Sequence, residues 1–128
     1  MRTVLIADDS KTSQMLVKTT LQRIPDVTFL TADNGAEALT VVQNSHIDLL
    51  VTDINMPEMD GIALVRAVRE MHDQRALPIL IITAKGEEAA RDQGLALGAN
   101  GYVLKPLSTR ELTELAQRLL PTPPRGRA

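Results

Sequence analysis

At 128 residues the chain has room for one domain with a real core, and 44% hydrophobic but only 2% aromatic residues mean a core of Val, Leu, Ile and Ala. A formal charge of −2, from 14 basic and 16 acidic residues, excludes the electrostatic footprint of a nucleic-acid or anionic-membrane binder. The lack of cysteine excludes disulfides, thiolate metal sites and cysteine nucleophiles, and no apolar run has the length of a membrane span or signal-peptide core, so a cytoplasmic protein is expected.

The apolar run Val4–Ala7 predicts a first strand, and "VLIADDSKTS" carries it through Asp8 and Asp9 into a hydroxyl-rich helix start. Val17, Leu21 and Ile24 then recur at helical spacing. A second strand, Val27–Thr31, follows Pro25 and has more polar character, which suits a sheet edge. Asn34 with Glu37 reads as a capping box opening the next helix. Asp48–Asp53 predicts the third strand, and Leu64, Ala67, Val68 and Met71 repeat at i, i+3, i+4, i+7 in the helix beyond it. Pro78–Thr83 is the fourth strand. The helix Glu87–Leu97 ends before Gly98, which suits the left-handed position that closes a helix. Gly101–Leu104 is the fifth strand, and Ser108 with Glu111 opens a last helix with Leu112, Leu115, Ala116 and Leu119 on one face. The domain is expected to span residues 1–120; residues 121–128, "PTPPRGRA", read as an extended Pro/Arg tail or the start of a linker.

Alternating strands and helices predict an α/β fold with a five-stranded parallel sheet covered by helices on both faces. The strands "VLIA", "LLVT" and "ILIIT" are apolar enough to be central. Right-handed crossovers then favour the order 2-1-3-4-5, with the ligand site beyond the C-terminal strand ends, between the first and third strands.

The residues at that rim define the chemistry. The first strand delivers Asp8 and Asp9, the third Asp53, the fourth Thr83 and the fifth Lys105 before Pro106. Each has an ordinary explanation alone, as a helix cap, a strand-end threonine or a turn lysine; their convergence at one switch point does not. A strand leading into a helix N-terminus normally invites a phosphate, yet aspartates repel one. Two unit charges about 4 Å apart cost on the order of 4 kcal/mol at an effective dielectric of 20, and a helix N-terminus offers only about half a positive charge in return. A hard divalent cation resolves the conflict. Asp8, Asp9 and Asp53 supply the oxygen ligands that Mg²⁺ takes, and the metal can then accept a phosphate oxygen. In "LLVTDINMPEMDG" Pro57 holds Met56 extended, which leaves Asn55 able to turn its backbone carbonyl toward the metal. Asp53 is the carboxylate best placed to be ligand and nucleophile together.

Taken in order, "LIADDS", "LLVTDINMPEMDG", "ILIITA" and "GYVLKPL" closely resemble a response-regulator receiver domain of the stand-alone CheY-like kind, over residues 2 to about 120. The resemblance implies a flavodoxin-like receiver fold, with Asp53 as phosphoacceptor and Asp9, Asp53 and the Asn55 carbonyl on Mg²⁺. It implies that Asp8 acts through a metal-bound water, that Thr83 and Lys105 contact the phosphoryl group, and that Lys105–Pro106 is cis. Tyr102 matches the family's switch aromatic. With no glycine-rich phosphate loop in the sequence, the phosphoryl group is expected from a phosphohistidine on a sensor kinase or phosphotransfer protein, and the chain is expected to be a signalling module rather than an enzyme. A downstream protein would be engaged through the fourth helix, fifth strand and fifth helix.

Finer expectations follow. Asn55 and Lys85, two residues past Asp53 and Thr83, are placed to tune hydrolysis of the acyl phosphate, or Lys85 is equally a solvated loop lysine. The fourth helix has a buried stripe of only Ala90, Gly94 and Leu97, and Gly94 costs about 1 kcal/mol against alanine; the helix is expected to be held less firmly than the last one and to act as the bistable element, or Gly94 equally serves only to permit close packing against the sheet. His46 and His72 lack metal-ligand spacing. Two rivals are weaker. A Mg²⁺-dependent phosphohydrolase with an aspartate nucleophile normally carries that residue after its first strand and has a cap insertion, and a phosphorylation-independent binding domain would not need the full constellation. The chain can equally be the receiver half of a larger response regulator.

Overall fold

The computed structural model describes residues 1–121. Its strands are β1 (Arg2–Ala7), β2 (Val27–Ala32), β3 (Leu49–Asp53), β4 (Ile79–Thr83) and β5 (Gly101–Leu104); its helices are α1 (Lys11–Leu21), α2 (Gly35–Asn44), α3 (Gly61–Glu70), α4 (Glu88–Leu97) and α5 (Thr109–Leu119). The strands form one parallel sheet in the order β2-β1-β3-β4-β5. Composition explains the order: β3 and β4 are buried along their whole length, while β2 at one edge and β5 at the other are only partly covered.

Strand alternation divides the core in two. Leu5, Leu50, Ile79 and Ile81 face α2, α3 and α4, with Ala38, Val42, Leu64, Val65 and Val68 packed on them. Val4, Ile6, Leu49, Val51, Leu80, Ile82 and Val103 face α1 and α5, against Val17, Leu21, Leu112 and Ala116.

The predicted caps are present. Asn34 accepts the Glu37 N–H at the start of α2, and Ser108 accepts the Glu111 N–H at the start of α5. Gly98 closes α4 with φ +120°. Two helix faces differ from the periodicity. The buried side of α3 is Ile62, Leu64, Val65 and Val68, with Ala67 only half-buried. Met71 has already left the helix in an extended conformation, because α3 stops at Glu70. Ile24 is buried but sits in the turn after α1, and α1 instead buries the polar Gln14 and Thr20. Pro121, assigned to the tail, is tied back: the Arg2 guanidinium donates to its carbonyl at 3.0 Å and to that of Pro25 at 2.6 Å. The rest of the tail lies outside the described residues.

Candidate functional site

Register places the site. Ala7 is level with Thr52, Thr52 with Ile81 and Ile81 with Tyr102, so Asp8 and Asp53 follow as the next row and Thr83 lies one residue further. The ladder continues past the strands, with Asp8 N–H on the Ala32 carbonyl at 3.0 Å and Lys105 N–H on the Thr83 carbonyl at 2.8 Å. Alternation then sorts the side chains by face. Asp8 follows Val4 and Ile6, Asp53 follows Leu49 and Val51, and Lys105 follows Val103, all on the α1/α5 side. Thr83 follows Ile79 and Ile81 on the α3/α4 side.

Asp8, Asp9 and Asp53 each present a carboxylate oxygen, and these oxygens lie within 4.8 Å of one another. Asp8 and Asp53 are buried; Asp9 is exposed. Burial is the largest influence on Asp8 and pushes its carboxyl above the usual 3.8, against the pull of the Ser10 N–H. Asp53 is likewise raised by burial, opposed by Lys105 and by the Ile54 N–H, which donates to its Oδ1 at 2.9 Å. Lys105 Nζ stands 3.4 Å from both Asp53 oxygens, and the Lys105–Pro106 bond is cis. Beside the carboxylates, Asp9, Asn55, Met56, Pro57 and Asp60 line an open depression of about 470 Å³.

Local sequence holds Asp53 in place from behind. Gly61 donates its N–H to the Ile54 carbonyl at 2.7 Å, and a Cβ at Gly61 would stand 2.0 Å from the Asp53 carbonyl oxygen. No side chain fits there, so the Asp60-Gly61 pair serves both as cap and as close approach: Asp60 accepts the Ala63 N–H at 2.8 Å to open α3. Glu58 takes a left-handed φ of 68° in the turn between them.

Several contributors were not visible in the sequence. Gln14, which no sequence pattern singles out, is buried and donates its amide to the Asp8 carbonyl at 2.6 Å and to Asp33 Oδ1 at 2.8 Å, bracing the loops after β1 and β2. Glu87 accepts from the Asn55 amide, from Thr83 Oγ1 at 3.2 Å and from the Ala84 N–H at 2.6 Å. Lys85, expected at the mouth, is exposed, and Glu87 is the residue that reaches both loops. Tyr102 lies on the sheet edge, 38% exposed, with the Arg91 guanidinium 4.8 Å above its ring. His46 is a surface residue paired with Asp48 at 2.9 Å.

Comparison with known proteins decides the family. Residues 4–117 match the profile of the response regulator receiver domain. The chain belongs to this family. It is 40% identical over 119 residues to the chemotaxis protein CheY of Pseudomonas aeruginosa, covering 91% of this chain and 94% of that protein. It is 36% identical over 120 residues to a CheY homologue of Campylobacter jejuni, covering 93% and 92%. Among solved structures, the chemotaxis response regulator CheY4 of Vibrio cholerae superposes with a TM-score of 0.85 at 36% identity, over 94% of this chain and 99% of that one. The same receiver also occurs within longer proteins: this chain spans 47% of the transcriptional regulatory protein ResD of Bacillus subtilis, at 38% identity. Receiver domains are signalling modules that work with histidine kinases or phosphotransfer proteins and with downstream targets. Among the described residues no helix is long and apolar enough to cross a membrane.

Proposed function

We propose that this receiver takes a phosphoryl group on Asp53, with Mg²⁺ held by Asp9, Asp53 and the Asn55 carbonyl and with Asp8 acting through a metal-bound water. The observation that carries the reading is the cluster itself, three carboxylates within 4.8 Å with Lys105 close by as a counter-charge. The residues fit the ion: Asp8 Oδ2 is buried with no hydrogen-bond partner among the described residues, a state that costs stability unless a ligand or its water shell satisfies it. Mg²⁺ bound there would supply charge neutralisation for the incoming phosphoryl oxygens.

The chain's own residues do the rest. The Ile54 N–H and Lys105 counter the effect of burial on Asp53 and favour its ionised form, so a lone pair is available to form the P–O bond as the P–N bond of the donor phosphohistidine breaks. The leaving imidazole keeps that bond's electron pair. Lys105, on a flexible stem, follows the new anion as a point charge, and Thr83 turns its hydroxyl toward it. A downstream protein would meet α4, β5 and α5, where Tyr102 and Leu104 are 38% and 44% exposed.

The test is direct. The chain incubated with acetyl phosphate and Mg²⁺ is expected to gain the mass of one phosphoryl group, to gain none in EDTA, and to gain none as Asp53→Asn. Label retained in Asp53→Asn would discard the reading; steady release of phosphate without labelling would favour a phosphohydrolase.

A further inference from the structure

Four of the five helices begin alike. Ser10, Asn34, Asp60 and Ser108 each turn a side-chain oxygen onto an N–H of the helix they open. Among the described residues α4 alone does not: its N-cap is Glu87, whose side chain makes no capping bond to the first turn. That carboxylate is turned backward, where it holds the Thr83 hydroxyl, the Ala84 N–H and the Asn55 amide. These donors come from the end of β4 and from the loops after β4 and β3, the latter being the strand that ends in the phosphoacceptor.

We infer that Glu87 is an internal stand-in for the phosphoryl group, holding Thr83, Ala84 and Asn55 while Asp53 is unmodified and surrendering them once phosphoryl oxygens appear, so that the N-terminal end of α4 comes free. This rests on the reading of Asp53 given above, and it assigns the resting position of α4 to one residue. An anion satisfies donors in one place only. The phosphoryl group on Asp53 brings three acceptor oxygens, and a charge that repels Glu87, to the same rim. Apolar packing holds this end of α4 only lightly: Gly94 is the one buried residue of the helix, and nearer the N-terminal end Ala90 is only partly buried against the core.

Glu87 is thus a positioning residue, and two variants test it. Glu87→Ala removes all three contacts, whereas Glu87→Gln keeps an acceptor oxygen but loses the charge. In the unphosphorylated chain the Thr83, Ala84 and Arg91 amide resonances of Glu87→Ala are expected to move toward their positions in the phosphorylated native protein, with Glu87→Gln intermediate. Uptake from acetyl phosphate should rise about fivefold in Glu87→Ala, the scale of losing a charge-assisted rather than a neutral hydrogen bond. A residue that merely caps the loop would alter melting without speeding uptake. Amides that stay at their native unphosphorylated positions, or uptake no faster than native, overturn the inference. The two failures are distinct: a native chain that takes no label refutes the phosphoacceptor reading, while a labelled native chain whose Glu87 variants match it refutes the role of Glu87 alone.

Discussion

Helices α4 and α5 cover opposite faces of the same edge of the sheet, are 10 and 11 residues long, and are held in different ways. The α5 helix is held along its middle. Leu112 and Ala116 are fully buried, Leu115 and Leu119 pack beside them, and Ser108 caps its first turn. The α4 helix is held at its ends: Glu87 grips the loops at one, and at the other Arg69 donates to the Gly98 carbonyl at 2.8 and 3.1 Å and to Asn100 Oδ1 at 3.0 Å. Apolar burial is non-directional and hard to trade for another arrangement, whereas hydrogen bonds at an end can be exchanged for others. The sorting of the site by face follows the same division. Asp8, Asp53 and Lys105 stand on the α5 side, Thr83 on the α4 side, so the proposed chemistry would be backed by the firm face and its consequences would reach the loose one.

The largest expected effect tests the firm side. Leu112→Ala should cost about 2–5 kcal/mol in urea unfolding, as for a fully buried leucine, and Leu97→Ala in α4, half-buried, should cost well under half as much. Equal costs would break the comparison. Next, Arg69→Ala strips the Gly98 and Gln74 carbonyls of their donor and should cost about 1–3 kcal/mol. Arg69→Lys should recover little of it, since one ammonium cannot reproduce the guanidinium fork. Hydrogen exchange is the sharper readout: amides at the C-terminal end of α4 should lose protection while those of α5 keep theirs.

The polar half of this picture is what the sequence concealed. Apolar runs made the sheet order legible because burial on two faces demands uniform composition, and Asn34 and Ser108 were legible because a cap bonds within its own turn. The three aspartates were legible as a group because topology alone carries strand ends to one rim. Gln14, Arg69 and Glu87 were not, because their partners lie 18 to 32 residues away or in loops whose turns no spacing rule specifies. Gly94 was read either as a weak point of α4 or as a residue that permits close packing on the sheet; the packing reason holds, since a Cβ would meet Ile81 Cδ1 at 2.5 Å.

Smaller effects refine the comparison. Ser108→Ala should cost about 1 kcal/mol by thermal or urea unfolding, the ordinary worth of an N-cap, and should leave the α4 amides untouched. The smallest concerns the rim. Burial raises the Asp8 and Asp53 carboxyls in the folded chain above 3.8, so the folded state binds protons more tightly than the unfolded one. In the absence of metal, these two groups favour folding most at low pH, and their contribution falls as pH rises through their raised folded values. Asp53→Asn should therefore melt slightly higher than the native chain at neutral pH in EDTA, with the difference shrinking toward pH 4. A lower melting temperature for Asp53→Asn at neutral pH would mean that Lys105 more than offsets the burial of its partner.

The Arg69 anchor has a mechanical consequence. Ten helical residues span about 15 Å, and a rod pinned at one end is a lever. With the Gly98 end fixed, a tilt of only about 10° would carry the other end through roughly 2.6 Å, nearly the length of a hydrogen bond, by the same rise per residue. Displacement would fall toward zero at Gly98 and would be greatest at the end that borders the carboxylates. A partner seated on the far end of α4 would feel rotation more than translation, and one seated near Glu88 would feel the full stroke.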